Sequence, residues 1–237
     1  MSKEYNQNAV SEDFEFRALR EAVNYKRLLV KEFSAFVRGR ALEVGSGIGQ
    51  MTAVLRACPS IQFLQCVEPE SAFCEQFRNS FPDQPLIQGM IRDAPGDDWD
   101  AIVSVNVLEH IEQDVEELAL YHQRLIGKRG VLALFVPARP ELYGQVDRDF
   151  GHYRRYGRSE VVSKITKAGF QIEKIRYFDF VGYFGWLIIC RLLRQSSFKP
   201  KTVRLFDRLI FPLENFVETR ICPPPIGKNL LVVARAT

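Results

Sequence analysis

The ten residues Ala41-Leu42-Glu43-Val44-Gly45-Ser46-Gly47-Ile48-Gly49-Gln50 constrain the fold more than any other part of the chain. An apolar run closes on an acid and a valine, and three glycines then alternate before a helix is predicted to begin near Gln50. Glycine tolerates the positive φ of a sharp turn and lets backbone approach a ligand with no side chain between them. Strand, glycine turn and helix N-terminus in that order make the ligand-binding corner of a doubly wound α/β sheet. The spacing narrows the ligand. A dinucleotide fingerprint runs G-x-G-x-x-G, shaped to seat a pyrophosphate on the helix N-terminus. Here the pattern is E-x-G-x-G-x-G with Glu43 at the strand end. A carboxylate there repels phosphate and attracts a cation or an ammonium. S-adenosylmethionine, with an amino-acid end, a sulfonium and no phosphate, fits that preference.

The rest of the chain supplies the neighbours such a corner needs. Apolar residues at helical spacing (Phe16, Leu19, Val23, Leu28, Leu29, Phe33, Phe36) predict one long amphipathic helix or two short ones between Phe14 and Val37. Strands are then predicted at Ala41–Val44, Ile61–Val67, Leu86–Gln88, Trp99–Val105 and Val131–Val136. Helices fall between them at Gly49–Cys58, Pro69–Ser80 and Asp114–Ile126, the last opened by Asp114 with Glu117 and closed by Gly127. That alternation gives a parallel sheet covered on both faces. After Pro137 the rhythm breaks into a polar, aromatic, arginine-rich segment, 138–158, which reads as a long functional loop. A helix at Glu160–Ala168 with Ser159 as its N-cap, a strand at Phe170–Phe178 and a closing strand at Asn229–Ala234 complete the pattern.

Composition sets the class. With 46% hydrophobic and 26% charged residues, the 237-residue chain has the make-up of a globular enzyme or binding domain, and a net charge of +3 gives no ground for nucleic acid as a partner. The five cysteines are scattered and lack any C-x-x-C, so they read as small buried or half-buried thiols, and no metal site is predicted. Residues Met1–Asn8 are polar and show no signal-peptide pattern, and no apolar run reaches the roughly 18 residues of a spanning helix. A cytoplasmic protein is expected.

Three stretches carry a family likeness: the loop at 43–49, Cys66-Val67-Glu68-Pro69, and Trp99-Asp100-Ala101-Ile102-Val103-Ser104-Val105-Asn106-Val107-Leu108-Glu109-His110. Their order resembles the class I S-adenosylmethionine-dependent methyltransferases over about residues 40 to 180. Within that class, Asn106-Val107-Leu108-Glu109-His110 and Gly151-His152-Tyr153-Arg154-Arg155-Tyr156 are similar to a bacterial type 11 subgroup. The resemblance implies a seven-stranded, mostly parallel sheet of order 3-2-1-4-5-7-6 with the last strand antiparallel. One domain is then expected over 1–237: an N-terminal helical extension (1–38), a cofactor-binding core (39–178 and 229–237), and a helical lid or interface insertion (179–228).

The same resemblance assigns roles. The backbone of Gly45, Ser46, Gly47 and Gly49 faces the methionine moiety, with Glu43 near that end. Glu68, followed by Pro69, accepts from both ribose hydroxyls, which a carboxylate does better than a neutral side chain. Gly89 and Met90 stand where the adenine lies; family members often carry an aspartate there, so Met90 is expected to pack on the purine while a backbone amide reads the ring edge. Asn106 and Val107 line the methionine pocket. His110 and His152 are candidate bases, since imidazole titrates near neutral pH, with Asp147 placed to orient His152.

Tyr143, Asp147, Tyr153, Arg154, Arg155 and Tyr156 are candidate acceptor contacts, the arginines suited to a carboxylate or phosphate. The competing reading is an internal brace in which those arginines pair with Asp147, Asp149 or Glu160. Phe180–Cys190 is an apolar stretch followed by Arg191, Arg194, Lys199, Lys201, Arg204 and Arg208. It suits peripheral membrane contact through 180–210, or a lid or homodimer interface. The function expected is methyl transfer to an oxygen or nitrogen of a small-molecule, saccharide or lipid-linked acceptor. The alternative is a non-catalytic scaffold or partner subunit of the same fold at a membrane surface.

Overall fold

The computed structural model describes residues 20–192 and 200–237. Seven strands form one sheet: β1 (Gly39–Val44), β2 (Ile61–Glu68), β3 (Leu86–Gln88), β4 (Ala101–Val105), β5 (Val131–Pro137), β6 (Phe170–Phe178) and β7 (Asn229–Ala236). Their spatial order is β3-β2-β1-β4-β5-β7-β6. Strands β1 to β5 pair in parallel, and β7 runs antiparallel to both β5 and β6. The sheet is the one the sequence implied, closing strand included.

Alternation along the strands divides the core between two layers. On β5, Leu132, Leu134 and Val136 face one layer with Leu118, Tyr121 and Leu125 of helix α4 (Asp114–Leu125). Val131, Ala133 and Phe135 face the other, with Leu29, Val30 and Phe33 of helix α1 (Val23–Ser34). Every residue of β5 is buried, which explains its unbroken apolar run. The predicted positions Phe14, Phe16 and Leu19 lie outside the described residues.

Local chemistry shifts several boundaries. Gly49 sits at φ +88°, so regular helix after the glycine turn is confined to α2 (Thr52–Leu55). Helix α3 (Ser71–Ser80) starts two residues after Pro69, because Glu70 is extended and its carboxylate accepts from the Ala72 N–H. Helix α6 (Arg158–Lys167) begins two residues earlier than Ser159 as N-cap would allow, with the Glu160 carboxylate accepting from the Gly157 N–H at 3.3 Å. The largest difference lies between Pro137 and Arg158. This segment is compact and ordered: a 3-10 turn at Pro140–Leu142, helix α5 (Gln145–Asp149), and a parallel bridge between Ala138 and Tyr156. Leu142, Val146, Asp147, Arg155 and Tyr156 turn inward, so the segment has a core of its own.

The insertion is helical. Helix α7 (Phe180–Trp186) continues as wider turns through Leu192, and α8 (Pro200–Leu205) runs through wider turns at Phe206–Ile210 into α9 (Phe211–Arg220). Its acids hold it to α1 and hold its own helices together. Asp207 accepts from the Asn24 and Tyr25 N–H groups at 2.9 and 2.8 Å, and Glu214 and Glu218 accept from Val181 and Phe180 at 2.7 and 2.9 Å. Among the described residues, no helix is long and apolar enough to cross a membrane.

Candidate active site

The carboxyl ends of β1 and β4 lie side by side at the middle of the sheet, where ligands bind in open α/β folds. Gly45, Gly47 and Gly49 all adopt positive φ, at +69°, +53° and +88°. A Cβ on Gly45 would stand 2.4 Å from Val107 Cγ2, so only glycine lets the β1 turn close against the β4 turn. The Gly45 and Ser46 N–H groups both donate to the Val67 carbonyl, and Gly47 N–H donates to Glu68 Oε2 at 2.7 Å. Glu68 Oε1 accepts from Glu70 N–H at 3.0 Å. Each carboxylate oxygen keeps a second lone pair, so Glu68 ties the loop to β2 and still has acceptor capacity for a diol.

Glu43 lies beneath the loop, buried, with its Oε2 accepting from Thr52 Oγ1 at 2.6 Å and from Cys66 Sγ at 3.4 Å. Burial pushes its carboxyl up to about 7, against the pull of those two donors. Thr52 escaped the sequence reading and Cys66 entered it only as part of the motif ending β2; a hydroxyl on the first turn after a glycine loop is the signal for the former. At the β3 end, the Met90 N–H donates to Asp93 Oδ2 at 2.8 Å. The Met90 amide is therefore engaged by an acid three residues on.

Asn106 ends β4 with φ +53°, a strained setting that Asn tolerates better than most residues. Its Oδ1 and the Ser46 Oγ are buried without a hydrogen-bond partner among the described residues. Two orphaned polar atoms flanking a glycine cradle are what a polar ligand would satisfy.

The region expected to face the acceptor is built differently. His110, on the 3-10 turn Leu108–His110, and His152 meet edge to face, with ring centroids 4.6 Å apart and planes at 87°. Burial and the facing His152 push His110 down to about 3; burial also lowers His152, more than Asp147 raises it. Burial thus disfavours the protonated form of both imidazoles. Asp147, fully buried, accepts from Arg155 Nε at 2.7 Å and from the Gly144 N–H at 2.9 Å, and its Oδ1 lies 3.2 Å from His152 Nδ1. Arg155 stacks over Trp186, 4.5 Å from the ring centroid. The Tyr156 hydroxyl reaches the Leu108 carbonyl at 3.1 Å and Asp114 at 3.0 Å, while Arg154 pairs with Asp114 at 2.7 Å. Tyr143 donates to the His152 carbonyl at 2.8 Å, and Tyr153 is the outermost of the set. Of the six candidate acceptor contacts, then, Asp147, Arg155 and Tyr156 form a buried brace. Glu109, fully buried beside His110, was given no role in the sequence reading.

A family model described as a methyltransferase domain matches residues 14–175. The chain belongs to the methyltransferase domain family. Its cofactor is S-adenosylmethionine, and the glycine cradle, the Glu68 carboxylate and the two orphaned atoms fit that molecule. No curated protein matches the chain. An S-adenosylmethionine-dependent methyltransferase from Thermotoga maritima superposes with a TM-score of 0.59 at 17% identity, over 94% of this chain and 92% of that one. One from Archaeoglobus fulgidus gives 0.56 at 13% identity, over 89% and 92%. At such identities the likeness is one of fold.

Proposed function

We propose that this methyltransferase delivers its methyl group to an oxygen or nitrogen of a lipid-linked acceptor presented at an anionic membrane surface. The observation that carries the reading is the outer face of the insertion. Ile188, Leu192, Leu209, Leu213, Phe216 and Ile221 are each between 50% and 68% exposed. Apolar side chains at helical spacing on adjoining helices make a patch of the kind that marks a binding surface. Its charge has one sign. Asp207, Glu214 and Glu218 are buried against the core, whereas Lys201, Arg204, Arg208 and Arg220 are exposed, with Arg204 paired to Glu21. An apolar face rimmed by cations complements an anionic bilayer.

The same helices reach the site. Trp186 of α7 stacks on Arg155, and Arg155 holds Asp147 behind His152. An acceptor entering from the bilayer would thus meet the His110–His152 wall directly. S-adenosylmethionine, when bound, supplies a methyl on a sulfonium that is already an excellent leaving group. The chain's own contribution is placement: Glu68 and the glycine turn fix the donor, and the 138–158 segment fixes the acceptor in near-attack geometry.

Vesicle flotation tests the surface. The protein is expected to float with vesicles containing phosphatidylglycerol, to float weakly with neutral phosphatidylcholine, and to lose flotation in Leu213→Asp/Phe216→Asp. Equal flotation of variant and parent would overturn the reading. So would a parent that stays unbound and sediments as a dimer broken by the same substitutions, since the face would then be a self-association surface. Calorimetry with S-adenosylhomocysteine reads the donor pocket separately.

A further inference from the structure

We propose that Glu109, His110 and His152 form a site for one divalent transition-metal cation, which holds an oxygen of the methyl acceptor beside the donor pocket. The ligand atoms of these three side chains all lie within 4.8 Å of one another. Atoms bound tetrahedrally at about 2.0–2.2 Å to a common ion stand about 3.3–3.6 Å apart, so side-chain rotations that draw the atoms together by up to about 1.5 Å close the set. Two imidazoles with one carboxylate select a first-row transition ion over magnesium or calcium, and three protein ligands leave positions open for a substrate oxygen.

The surroundings are arranged as a metal site requires. Asp147 Oδ1 faces His152 Nδ1 at 3.2 Å, which places the ring proton on Nδ1 and leaves the Nε2 lone pair for a metal. His152 Nε2 is buried and has no hydrogen-bond partner among the described residues. The backbone fixes the halves together, since the Tyr153 N–H donates to the Glu109 carbonyl at 2.8 Å. The His110 turn directly follows Asn106, whose buried Oδ1 lies on the donor side. The cation would therefore stand where donor and acceptor segments meet.

The acceptor role rests on the methyltransferase reading above, but metal binding does not, and the experiment keeps them apart. Titrating the intact protein with Co²⁺ alone is expected to give a visible absorption band saturating at one ion per chain, displaced by Zn²⁺. His152→Ala and Glu109→Gln should each weaken binding at least tenfold, with folding checked by circular dichroism. If His152→Ala unfolds, His110→Ala carries the same readout. An absent band in the parent protein, or variants that bind Co²⁺ as tightly as the parent, would overturn the site. S-adenosylhomocysteine affinity, measured by calorimetry on the same samples, decides the donor reading. Its persistence without Co²⁺ binding removes the metal only, and its loss removes the donor pocket whatever the metal does.

Discussion

The donor half of this methyltransferase and the half proposed to face the acceptor are built from opposite materials. At the β1–β2 corner the work is done by backbone: three glycines at positive φ, amides aimed at β2, and one carboxylate joining loop to strand. On the acceptor side, it is done by side chains locked in a buried network around Asp147, Arg155, His152 and Trp186. A ligand that never varies suits a backbone cradle, which depends on few residue identities. A wall of mutually braced side chains can be rebuilt for a new acceptor while the cradle is left alone. The difference predicts a separation: damage to one half should spare the other.

The largest effect is expected from Asp147→Ala. Asp147 has a fully buried carboxylate, and its removal leaves the Arg155 guanidinium buried without its partner. Breaking such a pair costs about 3–5 kcal/mol, read as a lowered urea midpoint. Affinity for S-adenosylhomocysteine, measured where the variant is folded, should stay within about twofold because separated sites act independently. A large loss of affinity at full stability would erase the distinction between the halves.

A smaller effect probes the anchor beneath the cradle. Burial raises the Glu43 carboxyl from 4.5 to about 7, so the folded chain holds this proton where the unfolded chain has released it. Between those two values the native state binds more protons, and Glu43 makes stability fall as pH rises, by up to about 3 kcal/mol, levelling off above the folded value. In Glu43→Gln that slope disappears while Gln still accepts from Thr52. Urea melts of both proteins from pH 4.5 to 7.5 would give a parent-minus-variant difference that declines with pH; a flat difference contradicts a protonated anchor.

The same contrast explains what could be read from the sequence. The strands were legible from their short, largely apolar runs, the sheet order from the family resemblance those motifs carry, and the cradle because glycine spacing is a local signal. Glu68 was legible for the same reason: it ends a strand. The acceptor side was not, because its parts meet only in three dimensions. Glu109 finds His152 across the fold, Tyr156 reaches back to Leu108, and the turn from loop to ordered segment at 138–158 depends on which charges face inward. Likewise, a linear reading sees the apolar run at 180–190, but the outward face emerges only when α7 and α9 pack side by side with their acids hidden. Even within the cradle, the pairing of Met90 N–H with Asp93 was invisible, since it turns on a single side-chain rotamer.

The smallest expected change, Glu68→Gln, is the sharpest test of the division. The carboxylate accepts from Gly47 and Glu70 with its two oxygens, and an amide can replace only one of them, because its NH₂ would face an N–H donor. A hydrogen bond to a charged acceptor is worth about 1 kcal/mol more than one to a neutral acceptor. With a ribose diol on the same group, the loss should be about tenfold in S-adenosylhomocysteine affinity. Overall stability should shift by less than about 1 kcal/mol, since the loop amide at Gly47 can turn to water. The Co²⁺ titration should not move at all, because Glu68 lies on the far side of the β1 turn from His110 and His152. A variant that keeps full affinity would show that Glu68 serves the loop alone, and the donor half would then rest on backbone entirely.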